Sequence, residues 1–279
     1  MMPRPPCLSL IRGVVLVFAL FLTLRAAAVA APWEQMPGQA RAITIGPKGT
    51  AYVIGTDDLI YQWTGKQWDR IGEGTGTVSI SASADDREAA APESLFVVGA
   101  DGRIRRYRAG AWETLPGKAS AVCLGTDGKM WILSAETNPA GNHRVSEWNT
   151  ATSQWDSTNG GTGTKMVMGA RGSLWTVNAQ NEIYHLLAGA WTKKPGAARD
   201  LAVGPAGELW VIGTNALANG DSSIYRGTTD GTAWENVEGE GVKIAAGPEH
   251  LWVVNSKGEI FRQPWRTPAP TAPESATTR

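Results

Sequence analysis

The stretch Gly169-Ala-Arg-Gly-Ser-Leu-Trp175-Thr-Val-Asn178, followed by Ile183-Tyr184, decides how the rest of the 279-residue chain is read. Two turn glycines precede an aromatic that opens a short β-prone run, and a second such run follows a polar gap. Short runs of β-branched and aromatic residues bounded by Gly, Asn and Asp are the signal of strands. The aromatic run returns as Tyr52-Val-Ile, Phe96-Val-Val, Trp131-Ile-Leu, Trp210-Val-Ile and Trp252-Val-Val. The run after it returns as Ile60-Tyr-Gln-Trp63, Ile104-Arg-Arg-Tyr107, Val145-Ser-Glu-Trp148, Ile224-Tyr-Arg-Gly227 and Ile260-Phe-Arg-Gln263. Ahead of each pair lies an apolar run: Ala42-Ile-Thr-Ile45, Val78-Ser-Ile-Ser81, Ala121-Val-Cys-Leu124, Lys165-Met-Val-Met168, Asp200-Leu-Ala-Val203 and Lys243-Ile-Ala-Ala246.

A tryptophan phrase completes the unit, opening at Trp33, Trp68, Trp112, Trp155, Trp191 and Trp234 and turning at a glycine four or five residues later. The spacings are 35, 44, 43, 36 and 43 residues. No window of helical period competes, so the chain is expected to be all-β. Labelling the apolar run A, the aromatic run B, the Ile-Tyr run C and the tryptophan phrase D gives four strands per repeat. Four-stranded units of about 40 residues are the signature of a β-propeller. The repeats predict a six-bladed β-propeller of four-stranded blades. The last unit lacks its D phrase, and Trp33 supplies one before the first A strand. Closure by residues 31–37, as the outer strand of the last blade, would remove a loose sheet edge.

Composition fits turns and aromatic packing: 13 tryptophans and 33 glycines, 42% apolar residues, and 26 basic against 26 acidic side chains. A zero formal charge excludes a nucleic-acid binder that relies on cationic excess. The apolar fraction excludes a disordered polyelectrolyte. Residues 1–30 read as a secretory signal peptide: Arg4 and Arg12 precede the apolar run Val14–Leu24, and Ala28-Val29-Ala30 offers a cleavage site before Ala31. That apolar run is too short for a spanning helix. Cleavage leaves 23 basic and 26 acidic groups and a single cysteine, Cys123, hence no internal disulfide. The expected setting is secreted or periplasmic. The propeller is placed at 31–265, and 266–279 forms a Pro/Thr/Ala-rich tail expected to be disordered. Residues 82–93 lengthen an A–B turn, whereas 135–143 and 214–222 lengthen two B–C loops.

The Trp-x-x-x-x-Gly phrase, the Gly-x-x-Gly-x-x-Trp run, the Val-Asn that follows and Ile-Tyr-Arg together resemble the tectonin repeat. Gly169–Tyr184 is the clearest copy, Gly247–Arg262 nearly matches it, and the resemblance spans about 33–265. Strand B departs from the pattern in four repeats, ending at Gly55, Gly99, Ser134 and Gly213 in place of asparagine. WD40 repeats would need an upstream Gly-His, and kelch repeats a Gly-Gly in each blade. The resemblance implies a lectin-like protein that binds a glycan or surface carbohydrate non-covalently, without metal or cofactor. A protein-interaction scaffold in the envelope is the alternative.

Catalytic signals are missing. His143, His185 and His250 fall in three different repeats with no His-x-His or His-Glu-x-x-His spacing. There is no Gly-x-Ser-x-Gly elbow, and Gly65-Lys66, Gly117-Lys118 and Gly128-Lys129 lack the rest of a phosphate loop. The chain is therefore read as a binding protein, not an enzyme. Tryptophans at B and D recur in nearly every repeat and suit packing. The end of strand C holds Trp63, Tyr107 and Trp148, then Leu186, Gly227 and Gln263. A scaffold that accepts glycine there does not need an aromatic, so those three are binding candidates. The long B–C loops add Asn138, Asn142 and His143, and Asn215, Asn219 and Asp221, as donors and acceptors. The two sets are expected on opposite faces.

Overall fold

The computed structural model describes residues 32–72, 76–83, 93–125, 128–169 and 172–265. The leader, the tail and most of the 82–93 insertion lie outside the described residues. Among those residues every extended element is a strand, and no helix is long and apolar enough to cross a membrane.

A seven-stranded sheet joins the first and last strands of the described residues. It runs β20 (Lys243–Ala246), β21 (His250–Val254), β22 (Glu259–Pro264), β1 (Glu34–Ile45), β2 (Ala51–Gly55), β3 (Ile60–Trp63) and β4 (Trp68–Arg70). A second comprises β5 (Thr77–Ser83), β6 (Ser94–Gly99), β7 (Arg103–Arg108), β8 (Ala111–Leu124), β9 (Met130–Thr137), β10 (His143–Asn149) and β11 (Gln154–Gly163). The two four-stranded sheets are β12 (Lys165–Met168), β13 (Leu174–Val177), β14 (Glu182–Leu187), β15 (Ala190–Ala197), and β16 (Asp200–Val203), β17 (Leu209–Ala216), β18 (Ser222–Gly227), β19 (Trp234–Gly241). All neighbours are antiparallel.

The long strands β1 and β8 each do the work of a D and an A strand without a break. Residues 34–36 of β1 pair with β22, and residues 40–45 with β2. Likewise, β8 pairs with β7 through its first half and with β9 through its second. The strands thus fall into groups with the order A-B-C-D: β1–β4, β5–β8, β8–β11, β12–β15, β16–β19 and β20–β22 with the start of β1. At the joint, Arg262 Nε meets Glu34 Oε2 at 2.6 Å and the same guanidinium covers the Trp252 ring.

Burial explains the strand composition. The B strands β2, β6 and β13 are buried along their whole length, because both faces are covered by neighbouring groups. Such strands need uninterrupted apolar runs, not alternation. The D strands are mostly exposed and tolerate the Lys, Glu and Thr found there. The apolar clusters sit between groups: Phe96, Val98 and Ile104 pack with Val122 and Ile132, and Met36 and Val53 pack with Ala245, Trp252 and Val254. The A strands touch in chain order from β1 through β5, β8, β12 and β16 to β20, and β20 touches β1. They surround a central cavity of about 620 Å³.

The tryptophan phrase is a latch between groups. Its glycine supports the tryptophan of the next phrase: a Cβ on Gly117 would lie 2.7 Å from Trp155 Nε1, and one on Gly196 2.9 Å from Trp234 Nε1. The series also includes Gly239, against which Trp33 lies. Where the glycine leaves room, the indole N–H donates to a nearby carbonyl: Trp68 to Pro37 at 2.8 Å, Trp155 to Pro116 at 3.1 Å, Trp234 to Pro195 at 2.8 Å and Trp33 to Glu238 at 3.1 Å. A half-buried ring with its one polar atom satisfied accounts for a repeated Trp-Gly pair.

Candidate functional site

The three strand-C aromatics are not brought together. Each lies in a separate group and faces the D-strand tryptophan across its hairpin. Trp63 meets Trp68 at a ring-centroid distance of 5.1 Å, Tyr107 meets Trp112 at 5.1 Å, and Trp148 meets Trp155 at 5.0 Å. These are cross-strand aromatic pairs of the kind that stabilise hairpins. Leu186 pairs with Trp191 at the same place, and Gly227 lets Trp234 lie over its backbone.

The loop residues hold backbone. Asn138 Oδ1 accepts from the Ala140 and Asn142 amides, both at 3.0 Å, and Asn142 is buried with its Oδ1 on the Ala179 amide at 2.7 Å. The other long loop repeats this arrangement. Asn219 Oδ1 accepts from the Asp221 amide at 3.1 Å, and buried Asp221 accepts the Ser256 amide at 2.6 Å. Both loops therefore tie one group to the next. Asn219 Nδ2 also donates to Glu240, and Asn215 Nδ2 donates to Ser223 Oγ at 2.8 Å.

The histidines stay apart. His143 begins β10, opposite Thr137 and Gly163. His185 stacks on Trp175 at 3.9 Å, and burial pulls its pKa from 6.5 to about 4. His250 begins β21, its pKa lowered first by burial and then by the Arg262 charge. Cys123 is buried, and burial drives its thiol upward, so it is an inert core residue.

What strand B lacks in asparagine it recovers two residues later. Asn178 and Asn255 stage their turns through Oδ1, accepting from the Glu182 and Glu259 amides at 2.8 Å each. Where glycine ends the strand, Asp57 and Asp101 accept from Leu59 at 3.1 Å and Arg103 at 2.9 Å. In the β16–β19 group the corresponding residue is Asn215.

That difference opens a site. The strand-C tyrosines Tyr61 and Tyr184 spend their hydroxyls on Asp57 at 2.6 Å and Glu182 at 3.1 Å. The hydroxyl of Tyr225, the equivalent in β18, takes no partner among the described residues. Tyr225 lines a cleft of about 240 Å³ with Trp234, Asn215, Thr214, Gly196 and Ala197. Gly196 and Ala197 come from β15, so the cleft lies between two groups. It is slightly smaller than the 300–1,000 Å³ typical of drug-sized ligand sites and suits one small ring. Of the binding candidates read from sequence, Asn215 alone lines it. Tyr225 and Trp234 resemble framework positions; the signal that marks them is Asn215 standing where the β1–β4 group has Asp57.

No family model and no curated protein matches the chain in sequence. Solved structures do match in shape. The propeller domain of Myceliophteria thermophila Cps50 (Swd1) superposes with a TM-score of 0.57 at 10% identity, covering 84% of this chain and 98% of that one. The fold is a β-propeller. YCF48 bound to a D1 peptide matches with a TM-score of 0.52 at 16% identity, over 87% and 100% of the two chains. Virginiamycin B lyase from Staphylococcus aureus matches with 0.55 at 13% identity, over 84% and 99%. Likeness at such low identity concerns the fold alone.

Proposed function

We propose that the chain is an exported, lectin-like propeller of the tectonin type, with six blades closed through residues 34–36, that binds a glycan ring non-covalently. The observation that carries the reading is the free Tyr225 hydroxyl in an aromatic-walled cleft between blades. A sugar ring has an apolar C–H face and a rim of hydroxyls. Tyr225 and Trp234 supply apolar wall, while the Tyr225 hydroxyl, Asn215 and Thr214 supply donors and acceptors. Ring closure is supported by the pairing of β1 with β22 and by the packing of Trp33 on Gly239. The tectonin assignment rests on the recurrence of the Trp-Gly latch and on the Asn178 and Asn255 turns.

A glycan array probed with residues 31–279 tests the reading. A sugar or polysaccharide should be retained, and Tyr225→Phe should weaken it about tenfold, the loss of roughly one directed hydrogen bond. No retention on any carbohydrate, or retention unchanged by Tyr225→Phe and Trp234→Ala, would remove the basis for it. Capture of a protein partner that survives deglycosylation would favour the scaffold reading instead.

A further inference from the structure

The A strands carry one rung that differs between the halves of the molecule. Pairing with strand B puts Ala42 opposite Ile54, Ser79 opposite Val98 and Ala121 opposite Leu133. On the next three A strands the same rung holds Lys165 opposite Val177, Asp200 opposite Ile212 and Lys243 opposite Val254. Since β12 touches β16 and β16 touches β20, the three charged residues stand side by side, and all three line the central cavity.

Their charges do not cancel. Asp200 Oδ2 is held on the Ile244 amide at 3.0 Å, and neither lysine makes an ion pair with a carboxylate among the described residues. The fourth charged residue of the lining, Arg41, is already matched to Asp58 at 2.6 Å. Two ammonium groups therefore share one carboxylate in a confined space. Burial, and then the Lys243 charge, hold Lys165 below the ordinary lysine range; burial raises Asp200. Packing does not require this arrangement, since alanine and serine fill the rung on the other strands. Desolvating adjacent like charges is unfavourable unless an anion joins them.

We propose that Lys165 and Lys243 form a second ligand site, at the central cavity, for a small molecule carrying a phosphate, sulfate or carboxylate group. Each ammonium offers three donors, enough to reach separate oxygens of one oxyanion. The cavity of about 620 Å³ falls within the range of small-molecule sites, so the body of the ligand fits beside its charged group. The site is separate from the Tyr225 cleft and does not depend on it.

Thermal unfolding of residues 31–279 at fixed ionic strength tests this with sodium phosphate, sulfate and glucuronate, each against chloride. At least one oxyanion should raise Tm in a saturable way, and the ranking of the three identifies the charged group. Lys165→Met and Lys243→Met should each reduce the affinity at least tenfold, and Asp200→Asn, which removes the competing carboxylate, should increase it. In chloride, Lys165→Met should melt no lower than the parent chain, which separates a ligand-binding lysine from a structural one. Tyr225→Phe should leave the oxyanion response unchanged, so failure here and failure of the glycan reading are distinguishable. The proposal is overturned if none of the three anions stabilises the chain beyond chloride. It also falls if the response survives in both lysine variants.

Discussion

Two junctions between blades share one framework and differ in chemistry. In the first blade, Trp68 packs over Gly38 and Tyr61 gives its hydroxyl to Asp57. In the fifth, Trp234 packs over Gly196, Asn215 occupies the place of the aspartate with its Nδ2 on Ser223, and the Tyr225 hydroxyl takes no partner among the described residues. The same two strand positions thus give a self-satisfied turn in one blade and an open donor in the other.

The largest expected effect breaks the wall of the fifth-blade cleft. Gly38 and Gly196 have φ of +85° and +90°, so any side chain at either strains the backbone by about 1–2 kcal/mol. At Gly38 an added Cβ would lie 3.6 Å from Trp68, an ordinary contact, but at Gly196 it would lie 2.9 Å from Trp234. Gly196→Ala should cost about 1–3 kcal/mol more than Gly38→Ala, read as the difference in urea midpoints. Equal losses would mean that the tryptophan yields freely.

Acid should act next, and at one junction only. His185 sits in the blade that supplies β15, stacked on Trp175 and neutral because burial lowers its pKa to about 4. Its folded pKa lies below the unfolded 6.5, so the unfolded chain binds the proton more readily. The stabilisation is full above pH 6.5 and is lost as pH falls from 6.5 toward 4. His185→Phe should flatten that part of the stability curve, as measured by urea unfolding at stepped pH. In the first blade the corresponding residue is Gln62, opposite Tyr52, which does not titrate.

The remaining predictions exchange the chemistry of the two junctions. Asn215→Asp should tie up Tyr225 and weaken sugar binding about tenfold, measured by titration calorimetry. Asp57→Asn should have the smallest effect. The hydrogen bond from Tyr61 to Asp57 is the main cause of the raised phenol pKa, so ultraviolet titration should show it fall toward the ordinary 10.

Sequence alone reached the strand groups because their markers are local: a Trp-Gly phrase, a turn glycine and an apolar B strand buried on both faces. The site was less legible. Trp63, Tyr107 and Trp148 stand out by their absence from other repeats, yet their partners are the tryptophans five to seven residues on, visible only when the hairpin is formed. Asn142 and Asp221 look like free loop polars because the amides they hold, Ala179 and Ser256, belong to the next blade. Tyr225 is one of three similar tyrosines, and only the folded turns show that it alone of the three lacks a carboxylate partner among the described residues. Lys165, Asp200 and Lys243 each head an apolar run in plain view. Only the side-by-side placement of their strands makes them a cluster.

The pairing of β1 with β22 also sets an order of events. Residues 34–36 are among the first of the described chain to be synthesised, and their partners, 260–262, are among the last. That sheet cannot be completed until nearly the whole chain is available, and contacts so distant in sequence form slowly. Until then the edge of β1 stays open. Its protection waits until residues 259–264 have been made, and a nascent chain halted before residue 259 would expose that strand.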